Sequence, residues 1–187
     1  MGIAIVGMPG SGKTTCINAA LESLGIERVS LGDVVREEAK KRGVPMERLN
    51  EFANDLRREL GPAAVAILAR RKIEELRGPA CIIDGVRSLH EVDYFRNELG
   101  LELVIVAIHS SPRTRFERLR RRGRPDDPRT WEEFVARDRR ELSWGIGSVI
   151  ALADHMIVNE GGVEELRRAC VEVIGSVLRA LQSSSRP

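Results

Sequence analysis

Apolar residues along this chain fall into short unbroken runs, separated by longer stretches where they recur at helical spacing. Ile3-Ala4-Ile5-Val6, Ala80-Cys81-Ile82-Ile83-Asp84, Leu103 to Ile108 and His155-Met156-Ile157-Val158 are runs of the first kind, and Arg28-Val29-Ser30-Leu31 is a weaker one. They show little apolar–polar alternation, which is how strands covered on both faces read. Between them the spacing predicts helices over 14–24, 34–42, 46–60, 62–77, 89–99, 113–122, 131–142 and 163–181. Ile17, Ala20, Leu21 and Leu24 share one face of the first helix. Val163, Leu166, Cys170, Val173, Val177 and Leu181 form an apolar stripe on the last. Gly43-Val44-Pro45 and Gly61-Pro62 mark breaks, with Pro62 suited to a first helical turn. The tail Ser183–Pro187 is polar and reads as a frayed end.

Five strands alternating with helices predict an α/β fold, a parallel sheet with a helical layer on each face. Ligands in such sheets bind beyond the carboxyl ends of the strands. The residues with chemical potential gather there: 7–14 after the first strand, Gly32-Asp33 after the second and Asp84-Gly85 after the third.

The first of these is the strongest signal. Gly7-Met8-Pro9-Gly10-Ser11-Gly12-Lys13-Thr14 fits G-x-x-x-x-G-K-[ST] at every fixed position, between a predicted strand and a predicted helix. Glycines let backbone N–H groups turn inward around phosphate oxygens, and the helix N-terminus adds partial positive charge. Lys13 would bridge the β- and γ-phosphates of a nucleoside triphosphate, and the Thr14 hydroxyl would bind Mg²⁺. Gly7, Pro9, Gly10, Ser11, Gly12, Lys13, Thr14 and Thr15 are the donor-nucleotide residues on this reading.

Composition narrows the setting. At 187 residues the chain predicts one domain. Its formal net charge of +2 implies no global polyanion partner. Only four of the 30 basic residues are lysines, which makes Lys13 conspicuous. Cys16, Cys81 and Cys170 are odd in number and widely spaced, and read as small buried thiols with no disulfide or zinc framework. His90, His109 and His155 have no ligand spacing. The first strand begins too early for a signal peptide, and no apolar run approaches the ~20 residues of a membrane span. A cytoplasmic protein with no membrane partner is expected.

Ser30-Leu31-Gly32-Asp33-Val34-Val35-Arg36 admits two readings, a helix-capping carboxylate or an acceptor-binding element. Together with Asp84-Gly85-Val86-Arg87 it resembles the adenylate kinases and related nucleoside-monophosphate kinases. Those carry a phosphate loop, then Gly-Asp with a nearby Arg, then a strand ending in Asp-Gly with an Arg. The resemblance implies that Gly32, Asp33, Arg36, Gly85 and Arg87 contact the acceptor, with Arg36 and Arg87 clamping its phosphate. This sequence lacks the Phe-Pro of the adenylate kinase pattern, and its Arg stands one place earlier. Asp84, after four apolar strand residues, would hold Mg²⁺ through water, or else simply close a strand in a turn.

Seven arginines stand between Arg113 and Arg124, and Phe116 and Leu119 give that helix an apolar side. A solvated basic face, a nucleic-acid patch and a kinase lid all fit such a run. Arg124-Pro125-Asp126-Asp127, followed by a helix with Arg137, Arg139 and Arg140, resembles the lid of adenylate-kinase-type enzymes. That implies arginines closing on the triphosphate, with Arg118, Arg122, Arg124 and Arg137 as candidates. Further on, 153–166 resembles the end of dephospho-CoA kinases and related P-loop kinases. There Asn159 and Gly161 would edge the adenine, or else supply a strand-to-helix turn.

Taken whole, the chain resembles the archaeal adenylate-kinase-related proteins, often labelled dephospho-CoA-kinase-like. The fold implied is a P-loop NTPase three-layer sandwich with a five-stranded parallel sheet, a helical acceptor-binding segment at 33–78 and a short arginine-rich lid at 113–145. The function implied is ATP- and Mg²⁺-dependent phosphoryl transfer to a small nucleotide-type acceptor, foremost a nucleoside monophosphate. Lys13, Asp33, Arg87, Arg124 and Arg137 would be catalytic. A hydroxyl acceptor, as in dephospho-CoA kinase, would give Asp33 the role of base. A third reading is an RNA-associated ATPase using the 113–124 arginines.

Overall fold

Five parallel strands form one sheet in the computed structural model, which describes residues 1–184. They are β1 (Gly2–Val6), β2 (Glu27–Ser30), β3 (Cys81–Asp84), β4 (Leu103–His109) and β5 (His155–Val158), in the order β2-β3-β1-β4-β5. The register sets Ile5 opposite both Asp84 and Val106, and Ser30 opposite Asp84. The carboxyl ends of β1, β2 and β3 therefore open onto one shared edge. Ile3, Ala4 and Ile5 are wholly buried, as the unbroken apolar run requires of the central strand.

Helices cover both faces. On one side α1 (Lys13–Leu24) packs against α9 (Val163–Ser184) over Ile3, Ile5, Ile82, Val106 and Ile108. On the other, α2 (Leu31–Lys41), α3 (Leu49–Leu60), α4 (Ala64–Glu74) and α5 (Leu89–Asp93) enclose a core that includes Ala4, Val6, Phe52, Leu56 and Phe95. The segment expected to form the lid folds as α6 (Pro112–Arg122) and α7 (Trp131–Ser143), and α8 (Ile146–Ala151) returns the chain to β5.

Several local expectations change. The second strand ends at Ser30, whose hydroxyl accepts from the Asp33 N–H, so Leu31 and Gly32 already belong to α2. Ser30 is thus the cap, and Asp33 lies in the first turn. The 46–60 stretch divides into a 3-10 turn (Met46–Arg48) and α3, and the end of the 89–99 stretch widens into a π turn (Tyr94–Glu98). Pro62 precedes its helix, which starts at Ala64. α8 was not expected. It is six residues long, too short for periodicity to declare itself. On α9 the buried apolar side chains are Leu166, Cys170, Ile174 and Val177, while Val163 is exposed. The side chain of Leu181 and the tail end Ser185–Pro187 lie outside the described residues.

The largest correction concerns the cysteines. Cys16 on α1 and Cys170 on α9 form a disulfide with Cα atoms 5.4 Å apart, leaving Cys81 as the buried free thiol. Sequence spacing hid the pair because 154 residues separate them. It is the α1–α9 packing that brings them face to face.

Candidate active site

The loop between β1 and α1 is built for close approach. Gly10 has φ +82°, and a Cβ there would stand 2.8 Å from the Arg115 carbonyl oxygen. Gly12 has φ +107°, and a Cβ there would stand 2.5 Å from Asn159 Nδ2. Any side chain at either place would be strained and would collide with a wall of the site. α1 then begins with neither a side-chain cap nor an acid in its first turn, which leaves its first N–H groups facing outward. Ser11 Oγ is buried with no hydrogen-bond partner. An uncapped helix start beside an orphaned hydroxyl is a surface that suits an anionic oxygen ligand.

Lys13 turns back on this loop. Its Nζ donates to the Gly7 carbonyl at 2.7 Å and the Met8 carbonyl at 3.1 Å. Burial pulls its pKa down to about 8; the negative charges of Asp84 and Glu141 oppose that shift, and the positive charges of Arg87 and Arg115 add to it. The groups whose charge reaches this amine come from β3, the loop after β3, α6 and α7.

The residues expected to take the acceptor lie along the same edge. Gly85 has φ +94°, and its Cβ position lies 3.5 Å from Leu31 and 3.6 Å from the Gly32 nitrogen, so the Asp-Gly and Gly-Asp turns abut. Arg36 is paired with Asp33, both about half exposed, and this contact holds the Asp33 carboxyl below its usual range. Arg28 binds Asp84 at 2.6 Å. Arg87 lies 4.7 Å over the Trp144 ring and 3.4 Å from Glu141.

The adenine-side candidates also meet. Arg118 donates to Ser110 Oγ, the Asn159 carbonyl and side-chain oxygens and the Gly161 carbonyl, at 3.0–3.3 Å. Buried Asn159 donates through Nδ2 to the Ser11 carbonyl at 2.8 Å. Asn159 therefore braces the phosphate loop from behind, a job that its turn position did not reveal.

The lid candidates are arranged differently. Arg137 grips the lid loop through the Asp126 carbonyl (2.7 Å), Asp126 Oδ2 (3.0 Å) and Asp127 Oδ1 (3.2 Å). Arg122 forks onto Asp127, whose pKa that contact lowers to about 2. Arg124 is exposed; its N–H donates to the Asp127 carboxylate and its carbonyl accepts the Asp127 N–H, while its guanidinium has no hydrogen-bond partner among the described residues. Neither Arg124 nor Arg137 is among the charges that move Lys13. Sequence reasoning missed Arg115 and Glu141, which are. Arg115 was one arginine among seven, and only its 4% exposure distinguishes it.

The basic run is a packed helix. Phe116, Trp131 and Phe134 stack edge-on or tilted at 5.0–5.5 Å. Among the described residues no group of His, Cys, Asp and Glu is arranged to hold a metal by itself, and no helix is long and apolar enough to cross a membrane.

A sequence model of the AAA domain family matches residues 6–135. A UPF0200 protein of Thermococcus gammatolerans is 48% identical over 184 residues, covering 96% of each chain. One of Hyperthermus butylicus is 53% identical over 165 residues, covering 87% of each. Among solved structures, TT1252 from Thermus thermophilus aligns with TM-score 0.63 and 22% identity, covering 100% of this chain and 98% of that one. Shikimate kinase from Acinetobacter baumannii, in complex with shikimate, aligns with TM-score 0.59 and 18% identity, covering 100% and 95%. The fold is thus that of the P-loop kinases, and by its family match and these relatives the chain belongs to the AAA domain family and to the UPF0200 proteins.

Proposed function

We propose that the protein is a phosphotransferase that moves the γ-phosphoryl group of ATP to a small nucleotide-type acceptor, foremost a nucleoside monophosphate. The observation that carries this reading is the surroundings of Lys13. One half-buried amine, donating to the Gly7 and Met8 carbonyls of the phosphate loop, lies in reach of the charges of Asp84, Arg87 and Arg115. Phosphoryl transfer calls for positioning and charge neutralisation more than for covalent chemistry, and such a convergence provides them.

On this reading the N–H groups of 10–15 and the Lys13 amine hold the triphosphate. Arg118, Asn159 and Gly161 border the base, and 113–145 acts as the lid. Gly32, Asp33, Arg36, Gly85 and Arg87 take the acceptor, with 33–78 as the acceptor-binding segment. Thr14 and Asp84 offer hard oxygen ligands for Mg²⁺, Asp84 through water; when bound, the ion would neutralise charge on the phosphates. The lid arginines that Asp126 and Asp127 hold, Arg137 above all, would need to exchange those partners for phosphate, and Arg124 is already free to turn inward.

Asp33 favours a phosphate acceptor over a hydroxyl. A carboxyl held below its ordinary range by Arg36 is a weak proton acceptor, and an acceptor phosphate needs none. ATP consumption with Mg²⁺ against AMP, CMP, GMP, UMP, dTMP and dephospho-CoA, with Lys13→Ala as control, tests the proposal. Lys13-dependent ADP formation with one monophosphate is the expected result. Turnover with dephospho-CoA alone, or only in the presence of RNA, would replace it with the corresponding alternative.

A further inference from the structure

Glu141 is the last acidic residue of α7, and its position is unusual for a carboxylate. It is 12% exposed and faces Arg87 Nη1 at 3.4 Å. Its charge also reaches Lys13 and Arg57. Arg87 is its ion-pair partner among the described residues, and the other two cations feel its charge from farther off. Arg57, on α3, lies 5.7 Å from the ring of Trp144, the same ring that carries Arg87 at 4.7 Å. Trp144 is the residue that ends α7, and its N–H donates to the Glu141 carbonyl at 3.2 Å.

The other acids of this corner are committed. Glu91 is buried and accepts the Arg87 N–H at 2.7 Å and the Ser88 N–H at 3.3 Å, closing the capping box of α5. Asp84 takes the Arg28 fork arm at 2.6 Å. The Glu141 carboxylate accepts no hydrogen bond among the described residues and is held by charge alone. An anion able to take two parallel N–H donors from a guanidinium outcompetes a single loose carboxylate contact. Phosphate is such an anion.

We infer that Glu141 is the counter-anion that the acceptor's phosphate displaces from Arg87, so that one carboxylate couples acceptor binding to the lid helix. The inference rests on the acceptor role given to Arg87 under the proposed function. In the ligand-free protein Glu141 neutralises Arg87 and keeps it against Trp144. When a phosphate takes Arg87, Glu141 loses its partner and the end of α7 is released. Glu141 is a positioning residue in this scheme, and its effect falls on acceptor affinity.

Trp144 supplies the readout, because Trp131 is the chain's other tryptophan. In a Trp131→Phe background, titration with AMP and with inorganic phosphate should change Trp144 emission as the cation stacked on its ring moves. Glu141→Gln removes the competing charge and should tighten both ligands roughly fivefold, the scale of one partly exposed ion pair. Glu141→Asp keeps the charge and should stay near the parent affinity. Arg87→Ala should abolish the response. In turnover, Glu141→Gln should lower the acceptor KM and leave kcat within about twofold. Unchanged or weaker binding in Glu141→Gln, or a drop in kcat without a change in KM, would overturn the inference. The titration needs no turnover. Phosphate binding tightened by Glu141→Gln in a protein inactive on every acceptor would sink the kinase reading alone, whereas an active kinase indifferent to Glu141→Gln would sink this one alone.

Discussion

Arg115 and Asp138 form a two-pronged ion pair, Nη1 to Oδ1 at 2.8 Å and Nη2 to Oδ2 at 2.5 Å, with side chains only 5% and 16% exposed. The same Nη1 also donates to the Pro9 carbonyl at 3.2 Å, and Nε to the Ser110 carbonyl at 3.2 Å. One guanidinium therefore ties the phosphate loop, the start of α6 and the middle of α7 together.

Removing the acid from this arrangement leaves a buried positive charge without its counter-charge. Asp138→Ala should cost about 3–5 kcal/mol of stability in urea unfolding. Replacing both partners with apolar residues, Arg115→Met with Asp138→Leu, should recover only part of the loss. The Pro9 and Ser110 carbonyls would still lack their donor. A double variant as stable as the parent would show that those two carbonyl contacts contribute nothing.

The Cys16–Cys170 bond closes a loop of 154 residues and joins the helix that starts at Lys13 to the last helix. Cross-links over loops of that size stabilise by about 3–5 kcal/mol in the chain-entropy account. Reduction, or Cys16→Ser, should lower the melting temperature clearly in calorimetry. Denatured but unreduced protein should bind one alkylating group per chain, at Cys81, and reduced protein three. Three labels without reductant would remove the cross-link from the account of stability.

What the sequence made legible follows from how locally each feature is encoded. The phosphate loop needs only its own eight residues and two flanking periodicities, and the β1 and β4 runs are short and rich in β-branched residues, as buried strands are. The parallel sheet followed from their alternation with helices. Gly32 and Gly85 were placed at one edge because strand ends in such a sheet share an edge, and the turn at Gly85 does abut the start of α2 at Leu31 and Gly32. Features made by tertiary packing stayed hidden. Arg115, Glu141 and the disulfide each depend on residues from 23 to 154 positions away, or on burial among many similar neighbours. The grip of Arg137 on Asp126 was not legible, since either ligand or loop can satisfy a guanidinium.

Lys13 ties nucleotide binding to pH in a direction that follows from its burial. Its folded-state pKa of about 8 lies below the ordinary lysine value of 10.5. Between those values the unfolded chain holds a proton that the folded, ligand-free protein has released. The stability of the ligand-free protein should therefore rise with pH across that window, and the Lys13→Met variant should lack this increment. Below about pH 8 both states are protonated and the cost of the buried charge is present in full. Polyphosphate binding has the opposite slope. It needs the ammonium form, and the bound phosphates raise the pKa of the amine that they contact. ATP affinity should be greatest below about pH 8 and fall as the pH climbs above it, since binding must then take up a proton. Calorimetric titration of ATP in two buffers of different ionisation enthalpy measures that uptake directly. Proton uptake near zero at low pH that grows above about pH 8, and is lost in Lys13→Met, is the expected pattern. Uptake that persists in Lys13→Met would assign the proton to another group.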